Sequence, residues 1–176
     1  MRRREFIAGI ASAAPWPLTA RAQQPTMPVI GYLSNASANL DPQVLTAFRG
    51  GLNSLGFVEG RRVAVIYRWA EGQNERLPGL ASDLVRRQVA IIAAVGTQSV
   101  HAAKAATTSI PIVFLVGGDP VEGGIAPSLN RPAGNVTGAT LFDVEVAPKL
   151  VEFMHELVPG AARLAFLNNP TNCGKI

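Results

Sequence analysis

An α/β fold built on a doubly wound parallel sheet is predicted by three features of this 176-residue chain. Short apolar, β-rich runs alternate with segments whose apolar residues recur at helical spacing. Most of the runs are apolar at successive positions, as strands buried on both faces are. Each run also ends in a polar turn that leads into a helical segment, so right-handed crossovers would gather these turns at one edge of the sheet.

The elements follow in order from residue 29. VIGYLS (Val29–Ser34) reads as the first strand. Asp41-Pro42 supplies an N-cap and a first-turn proline. Val44, Leu45, Phe48, Leu52 and Leu55 then recur on one helical face, and Gly56 stands at the stop position. VAVIYRW (Val63–Trp69) is the second strand, with Val63, Val65, Tyr67 and Trp69 on one face. A helix starting near Asn74 buries Leu77, Leu80, Ala81, Leu84 and Val85, and Arg86-Arg87 suit its C-terminal end. VAIIAAV (Val89–Val95) is the third strand, and a short Ala-rich helix follows with Thr97 or Ser99 as its cap. IPIVFLV (Ile110–Val116) is the fourth strand, and GGDPVEGGIAPSLN is a Gly-rich loop opening a short irregular helix. NVTGATL (Asn135–Leu141) is the fifth strand.

The front end differs in character. The basic RRRE is followed by the apolar FIAGIASAA and then by ARA at Ala20–Ala22, the three-part pattern of an export signal over residues 1–22. Arg3-Arg4-Glu5-Phe6-Ile7 resembles the twin-arginine address for proteins exported already folded. Arg2 departs from the Ser or Thr usual there, which leaves the general secretory route open. Pro15 and Pro17 break the apolar run, which is too short to span a bilayer. The expected location is therefore the periplasm.

Charge narrows the partners. The net charge of +4 is concentrated at the front, where residues 1–22 carry four arginines against one glutamate. The remainder holds 12 basic and 11 acidic residues, and no basic stripe interleaved with aromatics, so nucleic acid is not an expected partner. With 48% hydrophobic and 16% charged residues, the chain has the composition of a packed domain. The single Cys173 has no internal disulfide partner, and His101 and His155 are isolated surface residues, so neither a metal nor a cofactor is expected.

Four loops should meet at the carboxyl edge: SNASAN (Ser34–Asn39), WAEGQN (Trp69–Asn74), GTQS (Gly96–Ser99) and GGDP (Gly117–Pro120). Ligands of open α/β sheets bind at that edge, where the strand order reverses. Backbone N–H groups at helix starts suit a carboxylate, and Asp119 suits an ammonium group. The same residues also serve as ordinary caps and turns, and GGDP could simply be a turn with Asp119 capping its own helix. No Walker, G-x-G-x-x-G or G-x-S-x-G pattern occurs, which points to binding rather than catalysis.

VIGYLSNASA, GLNSLGFVEGR, YRWAEG, DPVEGG and NRPAGNVTG together resemble the substrate-binding proteins of bacterial ABC importers, in the type I periplasmic-binding branch that includes tryptophan-binding members. The resemblance runs from Val29 to about Pro170. It implies two α/β lobes closing on a ligand by hinge motion, a first lobe over 23–140, and a second begun at 141–176. Pro148–Pro159 would be a helix of the second lobe, with Leu150, Phe153, Met154, Leu157 and Val158 on its apolar face, and Ala162–Pro170 its first strand. Ser34, Asn35, Thr97, Gln98, Gly118 and Asp119 would line the first half of the cleft, and Thr137 would be a hinge. Tyr32 or Trp69 could form an aromatic wall.

The implied function is solute capture, of an amino acid or similar small metabolite, by a non-catalytic monomer that delivers it to an ABC permease. Family members continue through a complete second lobe, whereas NNPTNCGKI ends this chain early in that lobe, and a truncated product or partial sequence is expected. Two alternatives differ in class. One is a remnant that binds no ligand; the other is a flavodoxin-like enzyme using Asp119, which would need a Lys or a second acid such as Glu122 converging on that loop.

Overall fold

The computed structural model describes residues 27–39, 42–130, 134–141 and 147–160, with 163 and 165. The expected export signal and the expected strand at Ala162–Pro170 lie outside these residues, apart from residues 163 and 165, and so does Asp41. The described chain runs β1 (Val29–Ser34), α1 (Pro42–Ser54), β2 (Ala64–Trp69), a 3-10 turn (Asn74–Arg76), α2 (Leu77–Arg86), β3 (Ile91–Val95), α3 (Thr97–Ala106), β4 (Ile112–Val116), β5 (Val136–Thr140) and α4 (Ala147–Leu157).

All five strands are parallel, in the spatial order β2-β1-β3-β4-β5. The chain steps from β1 to β2 in one direction, then crosses back over β1 to β3 and continues to β5. Right-handed crossovers therefore place α1 on one face of the sheet and α2 and α3 on the other. The α2/α3 face holds the main core: Leu33, Leu77, Ala81, Leu84, Ile92, Ala94, Val100, Ala103, Ile112 and Phe114 are buried. Gly31 fits here because a Cβ on it would meet Leu84 at 3.0 Å, so the missing side chain lets α2 seat closely on β1.

The α1 face is more sparsely covered than the sequence reading implied. Tyr32 is buried there against Phe48 and between the rings of Tyr67 and Trp69, at centroid distances of 5.0–5.6 Å. No side chain of α1 is fully buried, and Leu55, expected on its apolar face, lies past the helix end and is exposed. On the same face of β4 and β5, Val113, Thr137 and Ala139 are exposed. Among the described residues one crossover, β1 to β2, runs in the direction that puts a helix on this side, and its cover stops near β1.

Helix ends obey their local chemistry with two corrections. Gly56, at φ +82, closes α1 with its N–H on Asn53 O and the Phe57 N–H on Leu52 O, a Schellman cap. The same cap closes α2, where Gln88 adopts φ +53 without being glycine. Neither Thr97 nor Ser99 caps α3; Gly96 holds the N-cap position and no side chain of α3 bonds there. The segment after Gly118 forms turns rather than the expected short helix, because Pro120 and the Gly123-Gly124 pair favour successive turns. Strands β2, β3 and β4 start one or two residues later than predicted, with Val63 buried in an isolated bridge to Glu59. In α4, Leu150, Val151, Phe153, Met154 and Leu157 are exposed, as is Val158 just past its end.

Asp83 joins α2 to the edge strand. Its Oδ2 accepts from Arg68 Nε at 2.9 Å and Nη2 at 2.6 Å and from Arg87 Nε at 2.9 Å, while Oδ1 accepts from Arg86 at 3.3 Å. These bonds, that of Arg68 first, hold its carboxyl at about 2 against an ordinary 3.8. A carboxyl lowered by folding stabilises above its unfolded value and loses that contribution as pH falls through the folded one. Asp83→Asn is expected to lower the urea midpoint at pH 7 and to leave a difference from wild type that shrinks between pH 4 and pH 2. A midpoint difference that stays constant over this interval would show that the arginine contacts are not coupled to folding.

Candidate functional site: the crevice at the strand-order reversal

The order of the strands reverses between β1 and β3, so their carboxyl ends diverge into loops on opposite sides and leave a crevice between them. In register, Ser34 of β1 stands between Trp69 of β2 and Val95 of β3. The rim is stitched by main-chain bonds: Ala70 N–H to Ser34 O at 2.9 Å, Gly72 N–H to Asn35 O at 2.8 Å and Glu71 N–H to Ala36 O at 3.1 Å. Glu71 is held at φ 57 in this turn, with its carboxylate on Arg76 at 3.1 Å.

Asn35 and the start of α3 meet at close range. Gly96 has φ 88 and ψ 142, a conformation open essentially to glycine alone. A Cβ placed on it would come 2.7 Å from Asn35 Oδ1, so the amide of Asn35 packs onto the bare backbone that begins α3. Thr97 and Gln98 form the first helical turn and are partly exposed. Ser99, one position further, is completely buried and its hydroxyl has no hydrogen-bond partner. A helix start without a side-chain cap, bordered by an amide, is suited to an anionic oxygen.

Gly118 and Asp119 follow β4, the neighbour of β3, and the Gly96 N–H bonds to Leu115 O at 2.9 Å between these strand ends. At a strand spacing of about 4.8 Å, the edge from β1 to β4 spans roughly 10 Å. All six sequence-predicted cleft residues thus lie along one edge. The side chains of Ser34 and Asp119 are both engaged with the main chain. Ser34 is 1% exposed and its Oγ accepts from the Ala36 N–H at 3.2 Å, which shapes the loop. Asp119 Oδ1 accepts from the Val121 N–H at 2.6 Å, which makes an Asx turn; the helix it was expected to cap does not form. Thr137 sits inside β5, in register with Val113, and the ladder ends only at the Leu141 N–H to Val116 O bond. Tyr32 belongs to the core, whereas Trp69 is partly exposed at the rim with its ring parallel to that of Tyr67.

Three contributors were not read from the sequence. Gly96 resembled any strand-end glycine, and its positive φ has no signature in composition. Glu71 is a non-glycine in left-handed backbone, which only the following Gly72 hints at. The third, Lys104, reaches the Gly-rich loop from a neighbouring helix, a contact that no local pattern encodes.

A parallel doubly wound sheet with an uncapped helix start at its switch point is the frame of a small-ligand binding lobe. The chain belongs to the ABC transporter substrate-binding protein family, whose profile matches residues 28–174. It is 31% identical over 122 residues to a tyrosine-binding protein of Clostridioides difficile, covering 69% of this chain and 35% of that one. Its fold is similar to a conserved domain protein of Vibrio cholerae, with TM-score 0.69 and 26% identity, over 77% of this chain and 45% of the other. A Streptococcus pneumoniae ABC domain in complex with L-Trp gives TM-score 0.61 and 22% identity, over 65% and 39% of the two chains. A ligand-free, open substrate-binding protein with adhesive properties from Clostridium difficile gives 0.60 and 22%, over 75% and 54%. The chain thus spans about a third to a half of the length of these relatives.

Proposed function

We propose that this chain is the solute-binding component of an ABC importer and takes an α-amino acid at the crevice between β1 and β3. One observation carries this reading: the bare Gly96 start of α3 and the amide of Asn35 converge where the strand order reverses. The ligand carboxylate lies against the Thr97–Gln98 turn, and Asp119 receives the ammonium group through its remaining oxygen. Trp69 at the rim, with the tyrosine- and tryptophan-binding relatives, favours an aromatic side chain on the ligand. Ser34 and Gly118 shape the loops, and residues near Thr137 to Leu141 lead from the first lobe, 23–140, into a second beginning at 141–176. Residues 1–22 direct export to the periplasm, where the protein acts as a monomer and passes its ligand to the permease. Among the described residues no helix is long and apolar enough to cross a membrane.

The test is a thermal-stability screen of the chain from Gln23 against the common amino acids. A ligand at about 100 times its Kd stabilises a folded binder by roughly 2.7 kcal/mol. L-tyrosine or L-tryptophan is expected to raise Tm, with aliphatic amino acids weaker. No shift with any amino acid would favour a remnant without ligand binding, and chemical turnover of the ligand would favour an enzyme.

A further inference from the structure

Between Val116 and Val136 the described residues, 117–130 and 134–135, form neither helix nor strand where the chain crosses the edge of the sheet. Connections of this length inside a compact domain need explicit anchors, and those that lack secondary structure are usually functional. The anchors are visible. Pro120, Ile125 and Ala126 are buried beneath the loop. The Thr140 hydroxyl donates to Gly118 O at 2.7 Å, fixing the loop near its start. Further along, Lys104 Nζ donates to Gly124 O at 2.9 Å and to Ile125 O at 2.6 Å. Among the described residues no carboxylate pairs with Lys104, so its charge is met by two converging carbonyl dipoles. An ammonium group, with three rotatable donors on a flexible stem, suits two carbonyls that belong to consecutive residues.

Asp119 lies between these two anchors, and Lys104 stands on the helix whose first turn forms the other side of the site. We propose that Lys104 is a positioning residue for ligand binding: through the Gly124 and Ile125 carbonyls it fixes the Gly118–Asp119 rim relative to the start of α3. This rests on the function proposed above. Lys104 does not touch the ligand; it sets the fraction of molecules in which Asp119 stands in the competent place. Apparent affinity falls in proportion to that fraction, so a loop that is correctly set in one molecule out of ten weakens binding about tenfold.

The experiment compares wild type with Lys104→Met, Lys104→Gln and Lys104→Arg. Calorimetry measures the Kd of L-tyrosine and L-tryptophan, and hydrogen exchange reads the amides of Gly123–Ala126 without ligand, with the β3 amides as reference. The expected result is a Kd raised about tenfold in Lys104→Met, largely restored in Lys104→Arg, with faster exchange confined to Gly123–Ala126. In an Asp119→Asn background Lys104→Met should add little further loss, because both act through one group. An unchanged Kd, or full additivity of the two substitutions, would overturn the proposal. If wild type takes up neither amino acid, the function proposed above has failed and the binding role of Lys104 falls with it; exchange at Gly123–Ala126 then reads only whether Lys104 anchors the loop, local loss showing the anchor and unchanged protection removing that too. Should Lys104→Met unfold the protein, Lys104→Gln, which keeps donors but not the charge, replaces it in each comparison.

Discussion

Gly138→Ala is expected to destabilise the protein by about 3 kcal/mol, the upper end of what overpacking usually costs. Gly138 lies in the edge strand β5, directly opposite Phe114 of β4. A Cβ built there would stand 2.2 Å from the Phe114 carbonyl oxygen and 2.5 Å from its ring carbon Cγ. The ring can rotate away at the cost of an unfavourable rotamer. The carbonyl cannot, because it belongs to the strand that β5 pairs with, so β5 must separate from β4. The measurement is the urea midpoint, with an unchanged m-value showing that the denatured state is the same. Adding Phe114→Leu should recover only part of the loss, since it removes the ring clash and leaves the backbone one. Full recovery would show that the strands had room to shift.

Gly96→Ala is the second large effect, and it acts on stability and on binding together. At φ 88 the backbone strain for any other residue is of order 1–3 kcal/mol. The new methyl also enters the place of Asn35 Oδ1, 2.7 Å away, and must push that side chain aside. Stability should fall by about 2 kcal/mol, and affinity for the amino acid at least about tenfold, read by thermal denaturation and calorimetry. Gly50→Ala is the control: it is exposed within α1 with nothing near its Cβ position, so it should stabilise by roughly 0.5–1 kcal/mol. Equal affinities for wild type and Gly96→Ala would remove the start of α3 from the site.

The fold was legible because its signals are local and repeated. Apolar runs such as Ile91–Val95 have few alternatives to a strand buried on both faces, and Gly56 marks a helix end by the conformation it permits. The expectation that each β-to-α loop falls at one edge followed from handedness alone. What the sequence could not convey was the division of labour within that edge. Ser34 and Asp119 look like ligand contacts in a polar loop, yet both bond to main-chain N–H groups two residues on. The residue that shapes the crevice most sharply, Gly96, is defined by a torsion angle and by the approach of a side chain some sixty positions earlier. Helices lie on both faces as expected, and the sparser cover of the α1 face has a topological reason: counting apolar residues shows that both sides of a strand want cover, but not how many crossovers run in the direction that provides it.

A sheet in which Ile30 is joined to Ile91, and Ile112 to Val136, has no hairpin from which pairing can begin. Every ladder closes a long loop before any hydrogen bond rewards it, and such topologies assemble more slowly than helical bundles of the same size. Until the third strand arrives, β1 exposes one whole side, and the nascent chain is open to capture by its neighbours. Its yield on refolding should therefore depend on dilution and on time, long before it depends on the strength of the finished core.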